Sequence, residues 1–309
     1  MKIVLWAAAV VMGYFMQCAA CDEAMMDRLL LANAIDRGKT EVVSELLSKS
    51  NSSCNINAAY GSFRTPLLRA IEARRINILS MLLKGRANPL TVLKERENSY
   101  FTVFHYALYR KDEEAFAALT ENMSMHDLLI AYNTVDARRQ SPLFIAVENK
   151  SISAIETMLQ YDSSYIGIPS LHDNTVLHIA VTCGDFKTLC MLLHTSAGRK
   201  IINHANEEGM TPLHIAALAQ YSFSDVQKVI KLLLDNGANP CKRDNNMHNA
   251  KDYLLSRRVA PQDPIILLLD DAQQRHIAQH CPERDYSLSD ADSFYVEGDV
   301  TDIESDQGD

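Results

Sequence analysis

Apolar residues along this chain fall into short blocks that recur about every 36 residues. The clearest block is Thr211-Pro212-Leu213-His214-Ile215-Ala216, and Thr175-Val176-Leu177-His178-Ile179-Ala180 precedes it by 36 residues. Ser141 to Ala146, Thr102 to Ala107 and Thr65 to Ala70 follow the same order of hydroxyl, apolar residues and alanine. Leu29 to Ala34 and Asn249 to Leu254 are degenerate first and last copies. The copies start near 29, 65, 102, 141, 175, 211 and 249, and alanine stands five residues after the start in six of seven. A second register lies seventeen residues after the start: Leu46-Leu47, Leu82-Leu83, Leu119, Met158-Leu159 and Leu192-Leu193. In the sixth copy the pair is Leu233-Leu234, displaced by five, which places an insertion around Tyr221 to Asp225. A period of this length marks a stack of repeated units, each too small to bury its apolar face alone.

Each unit reads as helix, turn, helix. Thr-Pro opens a first helix, because proline at its first position needs no N–H donor. The small alanine lets neighbouring helices approach. Gly38 and Gly184 stand where a tight turn follows, and Arg74, Lys111, Lys150 and Gln220 stand at or near that point in other copies, where the turns are less ideal. The second helix carries the leucine pair into the core. Gly85-Arg86-Ala87-Asn88-Pro89 and Asn236-Gly237-Ala238-Asn239-Pro240 then close two second helices alike.

With its Thr-Pro-Leu-His signature the chain resembles the ankyrin repeat family over roughly 24–281. The resemblance implies an all-α solenoid of about seven helix–turn–helix repeats. The motif is sharpest in copies two, four, five and six. Copies one, three and seven are degraded, and irregularity is expected between about 91 and 131.

The two ends differ from this body. Lys2, the apolar run Ile3 to Phe15 and Cys18-Ala19-Ala20 read as a signal peptide over 1–20. Cys21 resembles the modified cysteine of a bacterial lipoprotein, and a lipid there would tether the protein to a membrane without spanning it. These features predict an exported protein that is periplasmic, surface-associated or secreted. At the other end, ten acidic residues and one basic residue lie within 282–309. That segment accounts for the whole net charge of −9, and the other 281 residues balance at 29 against 29. It reads as a disordered acidic tail. It would solubilise the protein, engage a basic partner or fold back over the protein's own groove. The composition, 47% hydrophobic and 22% charged, excludes collagen, wholly disordered chains and polytopic membrane proteins. No repeat carries the strong basic stripe that nucleic acid would require.

Candidate chemistry is sparse. Gly38-Lys39-Thr40 lacks the earlier glycine of a phosphate loop, since Asn33 stands there. His105, His178 and His214 occupy one repeat position, and the family resemblance gives them a structural hydrogen bond. His276 and His280, with Cys281, are spaced for a metal only if a fourth ligand approaches. Asn51, Asn122 and Asn149 begin glycosylation sequons. No catalytic residue, metal ligand or cofactor is assigned.

The resemblance places recognition on the turns that precede each first helix. Their tips carry Tyr60, Phe63, Arg64, Tyr100, Phe101, Arg138, Arg139, His172, Glu207 and Met210, with Lys242 and Arg243 beyond. The bias is basic. Aromatic and arginine side chains dominate interface energetics, so the expected partner is another protein. It would be bound in the cell envelope or after secretion. An effector delivered to a host cell is one alternative, and an enzyme or a protective factor for a redox enzyme is the other. A bound metal or a thiol of low pKa would favour the last.

Overall fold

The structure, a computed structural model, describes residues 25–48, 56–57, 64–96, 99–161 and 164–280. The expected signal peptide, Cys21, Tyr60, Phe63 and the acidic segment 282–309 lie outside these residues.

Local sequence explains where the helices begin. Thr65, Thr102, Ser141, Thr175, Thr211 and Asn249, the last six repeat starts, are each the N-cap of a first helix. A hydroxyl or amide oxygen at that position satisfies one of the free N–H groups of the first turn. The first copy begins before its register, because helix α1 already runs over 25–37. The first helices are α1, α3 (Pro66–Glu72), α5 (Val103–Tyr109), α8 (Pro142–Asn149), α10 (Val176–Thr182), α13 (Pro212–Leu218) and α15 (Ala250–Ser256). Their partners are α2 (Thr40–Ser48), α4 (Ile76–Lys84), α6 (Glu113–Glu121), α9 (Ile152–Leu159), α11 (Phe186–His194), α14 (Phe223–Asp235) and α16 (Pro264–His280). Each first helix from α3 to α15 packs on its own partner, and successive first helices from α3 to α15 pack on one another.

The two apolar registers of the sequence are the core. Ala34, Ala70, Ala107, Ala146, Ala180 and Ala216 are all buried, so the first helices meet through methyl groups. Leu82, Leu119, Met158, Leu192 and Leu233 are fully buried in the second row. Burying each such side chain contributes roughly 1.5–3 kcal/mol. The turns between paired helices need a left-handed residue, supplied by Gly38 (φ 68°) and Gly184 (φ 63°). Arg74, Lys111, Lys150 and Arg258 adopt the same conformation at φ 53–62°. In the sixth repeat, four of the five inserted residues lengthen the second helix. α14 has 13 residues where α4 has 9.

Irregularity concentrates between repeats two and six. A two-stranded antiparallel hairpin, β1 (Leu93–Arg96) and β2 (Ser99–Phe101), precedes repeat three. An extra helix, α7 (Met125–Asn133), follows it, capped by Ser124. A 3-10 turn (Ser164–Gly167) and the short α12 (Ser196–Lys200) fill the next two junctions. Tyr132 on α7 packs edge-on against Phe104 and Tyr165, with ring centroids 6.0 and 5.6 Å away. These aromatic rings fill the space opened by the insertions.

Candidate functional site

Four five-residue turns, 136–140, 170–174, 206–210 and 244–248, project before the first helices of repeats four to seven. In each, the N–H of the first residue donates to the carbonyl of the fifth: Asp136 to Gln140 (3.0 Å), Ser170 to Asn174 (2.9 Å), Asn206 to Met210 (3.0 Å) and Asp244 to His248 (2.9 Å). In three of them the first side chain stiffens the loop. Asp136 Oδ1 accepts from the N–H groups of Arg138 (2.9 Å) and Gln140 (2.8 Å). Asn206 and Asp244 repeat that pair of bonds. A short acceptor side chain two residues before a backbone donor favours this turn. The fourth residue is left-handed throughout: Arg139, Asp173, Gly209 and Met247.

The fingers are also bonded to one another. Ala137 N donates to Tyr100 O (3.0 Å), Leu171 N to Arg138 O (2.9 Å), Glu207 N to His172 O (3.3 Å) and Asn245 N to Glu208 O (3.1 Å). One hydrogen-bonded ladder therefore runs from the hairpin strand β2 to the last finger.

Histidines hold three fingers from behind. His105 Nδ1 accepts the N–H of Thr102 (3.2 Å), and its Nε2 lies 3.2 Å from Gln140 O in the next finger. His178 joins Thr175 to Met210 O (3.0 Å) in the same way, and His214 joins Thr211 to His248 O (3.1 Å). An accepting Nδ1 and a donating Nε2 define a neutral ring. Burial enforces this, lowering the pKa of His105 and His178 from 6.5 to about 4 and that of His214 in the same direction. The third repeat, degraded in its motif, thus carries the complete clamp. Repeats two and four, with the better motif, place Leu68 and Phe144 at the histidine position and carry none.

The expected contact residues divide accordingly. Arg138, Arg139, His172 and Glu207 lie on successive fingers and are exposed. Tyr100 is 43% exposed on β2. Phe101 is half-buried, its ring stacked on Tyr106 at 5.8 Å, and Met210 is half-buried. Arg64 is exposed and lies 3.3 Å from Glu72. The basic bias changes along the row. Lys242 donates to Asn203 O (2.9 Å) and Arg243 to Met247 O, so both serve the fold, while Glu207 and Glu208 are exposed between the two basic groups. Sequence reasoning passed over Leu171 and Met247, which are 51% and 65% exposed on fingers. It also passed over the position four after each start. There Arg69, Tyr106, Ile179, Ile215 and Tyr253 are half-buried, while Ile145 of repeat four is fully buried, so a partly open and largely apolar line crosses the first helices with a break at repeat four. The spacing itself, one residue before the buried alanine, was the available signal.

The other candidates find simpler roles. Asn149 Nδ2 donates to Leu108 O (2.8 Å), which ties up that sequon's amide between repeats. Burial pushes the Cys183 and Cys190 thiols up, away from reactive thiolates. His276 lines an open cleft of about 840 Å³ between α16 and the loop after α14, together with Asp235, Asn239 and Arg275. Among the described residues no group of three or more His, Cys, Asp or Glu could hold a metal ion. Among them also, no helix is long and apolar enough to cross a membrane. The His280 side chain and Cys281 lie outside the described residues.

Comparison with known proteins points the same way. A family model described as ankyrin repeats (3 copies) matches residues 104–201 and 168–244. The nuclear factor NF-kappa-B p105 subunit of Rattus norvegicus is 31% identical over 154 residues, covering 49% of this chain and 15% of the relative. The transient receptor potential cation channel subfamily A member 1 of Homo sapiens is 25% identical over 218 residues, covering 71% of this chain and 18% of the relative. The chain thus spans less than a fifth of the length of these curated relatives. Among solved structures, the ankyrin repeat domain of Bcl-3, described as a unique member of the IkappaB protein family, superposes with a TM-score of 0.64 at 17% identity. That match covers 78% of this chain and 97% of the other. EF0377, an ankyrin repeat protein, gives a TM-score of 0.55 at 21% identity and covers 69% and 98%. At these identities the structural likeness concerns the fold.

Proposed function

Since this is a chain of ankyrin repeats stacked side by side, we propose that it works as a protein-binding scaffold whose contact surface is the finger row with the apolar line of the first helices. One observation carries this reading. The backbone of the fingers is fixed by a continuous hydrogen-bond ladder and by three buried histidines, while Arg138, Arg139, Leu171 and Glu207 stand exposed on it. Rigid backbone with unused side chains is what recognition requires, because little ordering entropy is lost on binding. The protein acts by binding, without chemistry of its own.

Lys2, the apolar run Ile3 to Phe15 and the small residues before Cys21 support export, to the envelope or outside the cell, with a membrane tether through Cys21 as the anchored form. Mass analysis of the native N-terminus tests this. A chain starting at Met1 overturns export with cleavage, and a lipid mass on Cys21 establishes the tether. For the binding role, affinity capture with the wild-type chain is compared with capture by a variant carrying alanine at Arg138, Arg139, Leu171 and Glu207. Proteins retained by the first and lost by the second are expected. An identical captured set sinks the assignment to the fingers.

A further inference from the structure

We propose that the finger row recognises a protein segment of ordered mixed charge. Carboxylates lie over the finger of repeat four, basic side chains lie over the finger of repeat six, and an apolar side chain rests on Leu171 between them. This inference rests on the protein-binding reading above and names the chemistry of the partner.

Three consecutive fingers carry it. The finger 136–140 presents Arg138 and Arg139, both exposed, and neither makes an ion pair among the described residues. The turn does not need an arginine at 139. That residue sits at φ 56°, where the matching position of another finger is Gly209 at φ 76°, and a side chain costs roughly 1–2 kcal/mol in that region. The finger 206–210 presents Glu207 and Glu208, also exposed, so the sign reverses within two steps of the ladder. Between them, the finger 170–174 presents Leu171 with half of its surface open. Its backbone N–H is bonded to Arg138 O on one side, and His172 O receives Glu207 N on the other.

That middle finger is also held differently from its neighbours. No histidine clamps it, because repeat four has Phe144 at the clamp position, and its first residue is Ser170 rather than an acidic or amide side chain. Its side-chain tie is Asn206 Nδ2 to Asn174 Oδ1 (3.0 Å). His172 and Glu207 meet at 3.1 Å, but they are 72% and 54% exposed, so a cation from a partner can take Glu207 over. At physiological salt a charge acts over about 8 Å, so each half is felt mainly by the partner groups close to it. A uniformly acidic partner would meet Glu207 and Glu208, and a nucleic acid would meet the same obstacle. A segment that changes sign along its length satisfies both halves.

The test is a displayed library of random sixteen-residue peptides, selected at low salt on the full chain. It is repeated on three variants: Arg138→Glu with Arg139→Glu, Glu207→Lys with Glu208→Lys, and Leu171→Ser. All five positions are exposed, so the variants should unfold within about 0.5 kcal/mol of wild type. Wild type is expected to enrich peptides with an acidic block, an apolar residue and a basic block. The first variant should select against the acidic block and the second against the basic block, and the third should lose the apolar preference. A labelled wild-type peptide should bind either charge variant at least tenfold more weakly, as expected for reversed charges across a contact. Peptides that depend on the fingers but show no charge order overturn this inference alone. If no enriched peptide depends on any finger residue, the protein-binding reading falls with it.

Discussion

Repeats three, five and six begin their first helices differently from repeats two and four. In the first group a buried histidine closes the helix N-terminus and reaches the carbonyl that ends the next finger, as His178 does to Met210 O at 3.0 Å. In the second group the cap stops at the hydroxyl. Thr65 Oγ1 and Ser141 Oγ each accept one N–H at 3.3 Å, and Leu68 and Phe144 only fill space. The first device couples a repeat to its neighbour by directional bonds to buried groups. At this position the second offers only apolar contact. One stack is therefore held by two mechanisms that respond to different perturbations, and they can be separated.

The largest effect is expected in the second group. Phe144 is 3% exposed, and Phe144→Ala should cost about 3–5 kcal/mol through lost transfer energy and a cavity. Measured by urea unfolding, that loss should be the same at pH 7 and pH 5, since nothing at the position titrates. A loss that grows with acidity would show that the apolar repeats also depend on a protonation state.

His178→Ala should cost less, about 2–3 kcal/mol, because it strands the N–H of Thr175 without its acceptor. Its distinguishing mark is pH. A histidine with a pKa near 4 in the fold and 6.5 in the unfolded chain binds protons preferentially when unfolded. Stability is then undiminished above pH 6.5 and falls as pH drops towards 4. At pH 5 the loss is on the order of 2 kcal/mol for each of His105 and His178. Unfolding of the wild type should show this decline, and His105→Ala with His178→Ala should remove most of it, with His214 retaining a share. If the slope between pH 7 and pH 5 is undiminished by the double substitution, these two clamps are not its source.

This division was only partly legible in the sequence. The alanine and leucine registers are set by close packing of identical units, so the core follows from the repeat period. The histidines also repeat, at 105, 178 and 214, but their value depends on a carbonyl more than thirty residues away. Motif quality therefore misled. Thr102-Val103-Phe104-His105 reads as a poor copy because Val103-Phe104 stands in place of Pro-Leu, yet it retains both groups that form the clamp. The hairpin over 93–101 has no apolar alternation to announce it, and its pairing is long-range only through Ala137 N. Helix α7 did have a signal, since Ser124 stands three residues before Asp127 and caps it through Asp127 N at 3.2 Å. Of the contact surface, the tips were readable from their place before each repeat. The reversal of charge was not, because it depends on which bases the fold consumes. Lys242 and Arg243 are held by backbone carbonyls, Arg243 while still exposed, and among the described residues Arg138 makes no such bond.

The smallest effect concerns the other end of each repeat, where the paired helices turn. There the clamped and unclamped groups are alike. Lys111 in repeat three and Lys150 in repeat four both sit in the left-handed region, at φ 53° and 59°. They differ in what the side chain does. Lys150 Nζ donates to Cys183 O at 2.8 Å, at the C-terminal end of the next repeat's first helix, where a cation is favourable. Lys111 is exposed, and among the described residues no hydrogen bond or ion pair of its side chain accompanies it. Lys111→Gly should therefore stabilise the chain by about 0.5–1 kcal/mol, the steric relief less the added freedom of the unfolded chain. Lys150→Gly should gain nothing, because the same relief is offset by loss of the inter-repeat bond. Thermal unfolding of the two variants side by side reads the difference. Equal shifts in melting temperature would mean that the lysine-to-carbonyl bond contributes nothing to holding repeats four and five together.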